Sequence, residues 1–400
     1  MLKKTLLSII TVMFVAGCAT TSPMTSMSYA ELELKASTLS HKLDVNIVEF
    51  DPGFYGNDEA ARTAGVWPEL RRAESRKFAV NLSRALNESN AFSAVSVTTS
   101  SEYLTDIIVT GMIVKSNGED IHLQITAIDS TGTRLINKKL YKHRTSEFFN
   151  ANIRNKDIDP FDAIYRGVVG DIIEELSKKR LADVELVTDL RFAKQLNESQ
   201  FYDAVESSPC TKANCSTKYE LGFVPASNDP MFLRAQNVQL KDLAFRNEMQ
   251  KHYIGFSDQM DDSYKIWQGA ALKASKSKRE AEAKAATQAF VGVLLMAAAA
   301  SSASNTDYGD YNSGAIVAAT VGASLIASAV GNSQEAKVHE STINEVSQSF
   351  DGEIAPKVVE MEGLQVKLEG NIENQFSQWQ TVLADIYESE SSQTKEFEVL

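Results

Sequence analysis

"DIIVTGMIVKSNGEDIHLQITAID", residues 106–129, places two strand-like runs on either side of an Asn117-Gly118 pair. Such runs, rich in Ile, Val and Thr and bounded by turn residues, read as β-strands. Asn-Gly between them is a strong hairpin signal, because both turn positions favour residues tolerant of positive φ. Downstream, "STGTRL" turns the chain into a further strand over Leu135–Lys142. Upstream, "FSAVSVTT" reads as another strand, and "DVNIVEF" as a first one that "DPGFYGND" breaks with Pro and Gly. A helix is predicted over Pro68–Glu88, where Leu70, Ala73, Phe78, Leu82, Ala85 and Leu86 form a stripe. Asp162–Lys178 closes the unit as a helix, with Ile164, Val168, Ile172 and Leu176 four apart. The order strand, helix, several strands, helix defines an α/β domain over residues 42–178.

The chain opens "MLKKTLLSIITVMFVAGCATT": two lysines, an apolar run, small residues and then a cysteine. That is the layout of a secretory signal over residues 1–17, too short for a permanent anchor. Val15-Ala16-Gly17-Cys18 resembles the lipobox of bacterial lipoproteins, which implies cleavage before Cys18 and acylation of that residue. Several acyl chains on one residue suffice for stable anchoring. In the sorting pattern of that family an Asp just after the cysteine favours retention in the inner membrane; here Ala19 follows, which implies the outer membrane, facing the periplasm. Residues 18–41 are read as a lipidated tether, with "ATTSPMTSMS" its uncharged, Ser/Thr-rich part. Two further cysteines, Cys210 and Cys215, fall in a connector over 179–230. In an oxidising compartment they are expected to form a disulfide. Its small loop would restrict the unfolded chain by roughly 2 kcal/mol.

The second half is expected to be a helical hairpin over 231–355. Met249, Tyr253, Phe256, Met260, Tyr264, Trp267, Ala271 and Ala274 follow each other at steps of three and four, the spacing of a seam against another helix. Ile343, Val346, Phe350 and Ile354 repeat the pattern until Pro356. Between these arms lie two uncharged segments, 285–306 and 311–334, joined by the polar tip "SNTDYGDYNS". Each is long enough to cross a bilayer, which takes about twenty helical residues. The second is only weakly apolar. Its small residues, however, form ridges: Ala315, Ala319, Ala323, Ala327 and Gly331 at intervals of four, with Gly314, Ala318 and Gly322 beside them. Small ridges let membrane helices pack closely. Insertion in a membrane, burial in protein and a low-complexity linker all remain open on this pattern. Residues 356–400 read as a small β-hairpin, "KVVEMEGLQVKLEG", and an amphipathic helix with Ile372, Phe376, Trp379, Leu383 and Ile386. The fold class is therefore α+β: an N-terminal α/β domain, a long antiparallel helical hairpin with an Ala/Gly-rich apolar end, and a C-terminal β-hairpin plus helix.

The succession "VNIVEFDPG", "SNAFSAVSV", "TDIIVTGMI" and "AIDSTGTRL" resembles the α/β domain of several envelope proteins: curli-secretion-channel lipoproteins, lipoprotein activators of penicillin-binding proteins, and the N-terminal domain of the Tol-system translocation protein. The resemblance implies a binding or oligomerising module without catalytic residues. The long transmembrane β-hairpins of the curli channel are not evident. His41, His122, His143, His252 and His339 are scattered, with no ligand at metal spacing, and no phosphate loop or nucleophile elbow occurs. No metal, cofactor or enzymatic activity is expected. A formal charge of −13, made more negative by loss of Lys3 and Lys4, disfavours nucleic acid and anionic lipid surfaces as partners. The charge-mixed "ELRRAESRK" reads as a solvated helix face, and Trp267 and Trp379 as core residues. Expected partners are membrane lipid, through Cys18, and copies of the chain or other envelope proteins. The function expected is structural: an outer-membrane lipoprotein of an export or surface-assembly complex. The alternative is a periplasmic binding or regulatory lipoprotein with a soluble helical spacer.

Overall fold

In the computed structural model Asn117 and Gly118 do turn the chain between β3 (Ile107–Ser116) and β4 (Asp120–Asp129), which pair antiparallel. Asn117 Oδ1 accepts from the Asp120 N–H at 2.7 Å, and Gly118 takes φ +80°. The structure describes residues 27–54, 57–63, 66–146, 149, 158–211, 215–300, 345, 357–361 and 364–397.

β5 (Arg134–Arg144) pairs antiparallel with β4. The turn between them is held by Asp129, whose Oδ1 accepts from the N–H groups of Thr131 and Thr133 at 3.0 and 2.9 Å. β1 (Val45–Val48) runs parallel to both β2 (Val95–Thr98) and β3, so the mixed sheet has the order β2-β1-β3-β4-β5. Parallel neighbours need a crossover. One joins β1 to β2 through α2 (Asp58–Thr63) and α3 (Pro68–Glu88), and Pro68 starts α3 where its missing N–H costs nothing. Ile121, Leu123, Ile125 and Ala127 of β4 are buried on one face, and His122, Gln124, Thr126 and Ile128 are half-buried on the other.

α4 (Asp162–Leu176) packs on β5 and α3. Of the stretch read as a tether, Tyr29–Ala36 instead form a helix, α1, docked on α4. Its cue was present: Ser28 and Glu31 make a capping box in which each side chain meets the other's backbone N–H. The connector holds α5 (Leu181–Leu196) and a two-stranded sheet of β6 (Val205–Ser208) and β7 (Lys218–Leu221) that periodicity did not reveal. Four-residue strands with exposed Glu206, Ser207 and Ser208 carry too little alternation to be read.

α6 (Pro230–Ala300) is a single helix of 71 residues, about 107 Å at 1.5 Å per residue. The seam Met249, Tyr253, Phe256, Met260, Tyr264 and Ala271 is buried. Its spacing suggested a partner helix, and it lies on α3 and β2 of the α/β domain and belongs to the same core. β2 is an edge strand, and α6 covers that edge: Gln250 Oε1 accepts from the Val97 N–H at 2.7 Å while its Nε2 donates to Ser83 at 3.2 Å. An edge closed this way cannot recruit another strand. The same contact corrects the reading of "ELRRAESRK". Arg71, Glu74 and Lys77 are buried rather than solvated, because α6 lies over that face of α3. β8 (Lys357–Met361) and β9 (Leu364–Leu368) form the expected hairpin. α7 (Ile372–Phe397) buries Ile372, Phe376, Trp379, Leu383 and Ile386 against α6 and α5.

The α+β class and the long helix are thus present. The second arm, the tip, the segment 311–334 and the ridge Gly314, Ala315, Ala318, Ala319, Gly322, Ala323, Ala327 and Gly331 lie outside the described residues, as do the signal and Cys18.

The β3–β4 turn also props α6. A Cβ at Gly118 would stand 2.6 Å from the Ala271 Cβ and 2.9 Å from the Gln268 carbonyl oxygen, at a φ that L-residues disfavour. Gly118→Ala is therefore expected to cost on the order of 2 kcal/mol, from positive φ and overpacking together. A shift of the urea midpoint equivalent to less than 0.5 kcal/mol, within ordinary surface scatter, would show that the turn does not bear on the helix.

Candidate functional site

The α3 face that α6 covers opens at one end into a cleft of about 550 Å³. Its walls come from four places: Ser28 and Tyr29 where the chain enters the domain, Lys77 and Arg84 of α3, Asp159 just before α4 with Arg166 in its second turn, and Tyr264, Lys265 and Gln268 of α6. Helical spacing explains the α3 set, since 77, 81 and 84 share one face. The sequence around 158–162 supplies Asp159, whose Oδ1 accepts from the Phe161 N–H at 2.7 Å.

An ionic framework runs along the α3–α6 boundary, into the cleft wall at Lys77, Asp159 and Asp261. Tyr264 donates to Glu74 Oε1 at 2.9 Å, Ser116 donates to the same oxygen at 2.5 Å, and Arg71 pairs with Oε2 at 3.1 Å. Burial nevertheless pushes the Glu74 carboxyl upward, against these partners. Asp159 is likewise raised by burial, opposed chiefly by Lys77. Asp261 ends below the usual carboxylate range: burial works to raise it, and Lys77 and Lys265 outweigh that. Lys77 bonds Asp261 across the α3–α6 boundary, Arg84 reaches Asp258 at 2.6 Å, and Asn81 donates to Asp159. These groups are spent on one another. The arrangement clamps α6 to the domain and offers no nucleophile–base pair.

What the cleft does locate is the exit of two chain segments. Arg166 donates to the Met27 carbonyl at 2.7 Å and Tyr29 to Asp162 at 2.7 Å, fixing the N-terminal entry there. Beyond Gln268, the last residue of α6 in the cleft wall, Ser275 donates to the Asn117 carbonyl at 3.0 Å, and α6 continues to Ala300. From Ser275 to Ala300 the helix advances about 37 Å. Between Leu272 and Ala285 lies a signal that periodicity did not reveal: Lys273, Lys276, Lys278, Arg279 and Lys284, against only Glu280 and Glu282. It was legible as a charge run before an uncharged segment, and Lys273 is exposed.

A second cleft, of about 370 Å³, separates α5 and α6 beside the sheet. In it the Asp106 carboxylate accepts from the Asp44 N–H at 2.8 Å and from the Thr188 hydroxyl at 2.5 Å. Burial pushes its pKa up to about 6, and Asp189 beside it is also raised by burial.

Cys210 and Cys215 are joined by a disulfide with Cα atoms 5.8 Å apart, away from both clefts. His122 and His143 are held below the ordinary imidazole value by burial, and they converge on no common ligand. Among the described residues no group of three His, Cys, Asp or Glu could hold a metal ion, and no helix is long and apolar enough to cross a membrane. Those residues include only part of the segment 285–306 and none of 311–334. No protein-family model matches the chain, and neither do any curated proteins or solved structures.

Proposed function

We propose that this chain is an outer-membrane lipoprotein with a structural role in an envelope export or surface-assembly complex, whose α/β domain is held to the membrane by acylated Cys18. In this reading α6 is a rigid arm that carries the uncharged segments into the same bilayer. One observation carries it: Ser28, next to the start of the described chain, and Gln268 of α6 line the same cleft, and the reaches beyond them match. From Cys18 to Ser28 the extended chain spans at most about 33 Å. From Gln268 to Ala285, where the first uncharged segment starts, α6 advances about 26 Å. A bilayer within reach of the lipid anchor is therefore within reach of the arm. Rooting the arm in the core, through Gln250, Tyr253, Tyr264 and Lys77, would keep that distance fixed. The small ridge from Gly314 to Gly331 would then pair the two spans, or neighbouring copies.

The test is surface labelling. In Asn312→Cys the only free thiol is at the tip, since Cys210 and Cys215 are bonded to each other and Cys18 is acylated in this reading. A membrane-impermeant maleimide is expected to label it on intact cells, and Ala315→Leu with Ala319→Leu and Gly322→Leu to abolish both labelling and assembly. A tip that labels only after the outer membrane is broken overturns the reading. It would favour a periplasmic binding or regulatory lipoprotein, for which the buried seam of α6 on its own domain is the supporting observation: that helix needs no membrane to be covered.

A further inference from the structure

We infer that the end of the domain from which tether and arm emerge binds the headgroups of an anionic phospholipid bilayer. The inference rests on the membrane-facing reading above and names the lipid class that this end would select. From Lys273 to Lys284, α6 carries five cations and two acids, in a chain whose formal charge is −13. Closer to the domain the charges cancel: Asp261 engages both Lys77 and Lys265, and Arg84 meets Asp258. Over Arg234–Asp262 the same helix has no cationic excess, with Asp242, Glu248, Asp258, Asp261 and Asp262 against Arg234, Lys241, Arg246 and Lys251. The excess is thus confined to the three helical turns between the domain and the uncharged segment. Beyond that segment the tip carries Asp307 and Asp310.

A run of charges on a long helix is usually a solvated face. Two things separate this one from that case. Its sign opposes the protein's, so it does not serve solubility by adding to net charge. Its height is fixed, because Ser275 bonds the β3–β4 turn and Gly118 rests against Gln268, Ala271 and Leu272. Basic residues held at the base of an apolar segment attract anionic headgroups, an effect that falls off within a Debye length.

The experiment uses the full chain with Cys18→Ala, so that acyl groups do not dominate, and measures co-sedimentation with vesicles of phosphatidylcholine alone or mixed with phosphatidylglycerol. Binding to the anionic vesicles is expected to be on the order of 100-fold tighter, for about three excess cations at the surface, and to collapse in high salt. Replacing Lys273, Lys276, Lys278, Arg279 and Lys284 by Gln is expected to remove the preference. Lys241→Gln with Lys251→Gln, elsewhere on α6, should leave it intact, and circular dichroism of both variants checks that the helix persists. Equal binding to neutral and anionic vesicles, or a preference unchanged in the five-residue variant, overturns the inference. Labelling of Asn312→Cys from the vesicle lumen reads insertion separately. Insertion without lipid preference defeats the headgroup site alone, while preference without insertion defeats only the inserted hairpin.

Discussion

Trp379→Ala is expected to lower the free energy of unfolding by about 3–5 kcal/mol, the cost of deleting a fully buried indole. Trp379 is 2% exposed and stacks on Phe245 of α6 with ring centroids 4.7 Å apart. Phe376, one turn earlier on α7, meets Phe245 at 5.5 Å and Tyr103 at 5.0 Å, so this cluster joins α7, α6 and the approach to β3. The indole also has a polar duty. Its Nε1 donates to Asp242 Oδ1 at 3.0 Å, and Asp242 is paired with Arg246 at 3.0 Å, both side chains 3% exposed. Removing that donor leaves a buried carboxylate short of one partner, which by itself costs about 1–3 kcal/mol. Trp379→Phe separates the two parts, keeping most of the ring and losing the N–H. Urea unfolding of both variants is the measurement. A change below 1 kcal/mol for Trp379→Ala would mean that α7 is not docked on α6.

The second large effect is a dependence on pH. Asp106 titrates at about 6 in the folded protein, against about 3.9 in an unfolded chain. The folded state therefore holds its proton more tightly, and between those values unfolding releases protons. Stability from this group is greatest below pH 4 and declines as pH rises to 6, by about 3 kcal/mol in all. That is the reverse of a salt-bridged carboxylate. Glu74, Asp159 and Asp189 are displaced in the same direction by burial, whereas Asp120 and Asp261, despite burial, are lowered by their cationic partners. The whole-protein curve mixes these, so the informative quantity is the difference between wild type and Asp106→Asn. The variant is expected to gain on wild type by about 2 kcal/mol between pH 4 and pH 7. A difference that stays level across that range would show that Asp106 ionises normally in its cleft.

Much of the α/β unit was legible because its signals are local. Asn117-Gly118 and "STGTRL" are turn chemistry, the alternation in β4 is a period of two, and the α3 and α7 stripes are a period of 3.6. The structure places Leu70, Phe78, Leu82, Phe376, Trp379 and Leu383 in the core, as those periods require. The cleft was not legible. Arg71, Glu74, Lys77 and Asn81 resemble any solvated helix face, and only the arrival of Asp261 and Tyr264 from far along the chain gives them a buried role. The Ser28–Glu31 capping box could have marked α1, had composition not suggested a plain tether.

By itself, the order of residues determined the strands and helices of the α/β domain, the turns between β3, β4 and β5, and that α6 has one apolar seam, because each of these depends on neighbours within a few residues. Only the tertiary structure decided what that seam covers. Spacing of three and four specifies a stripe along a helix and carries no information about its counterpart. Here the counterpart is β2's open edge and the polar face of α3, since an edge strand's unpaired N–H groups and a buried Glu74 both need partners that α6 supplies.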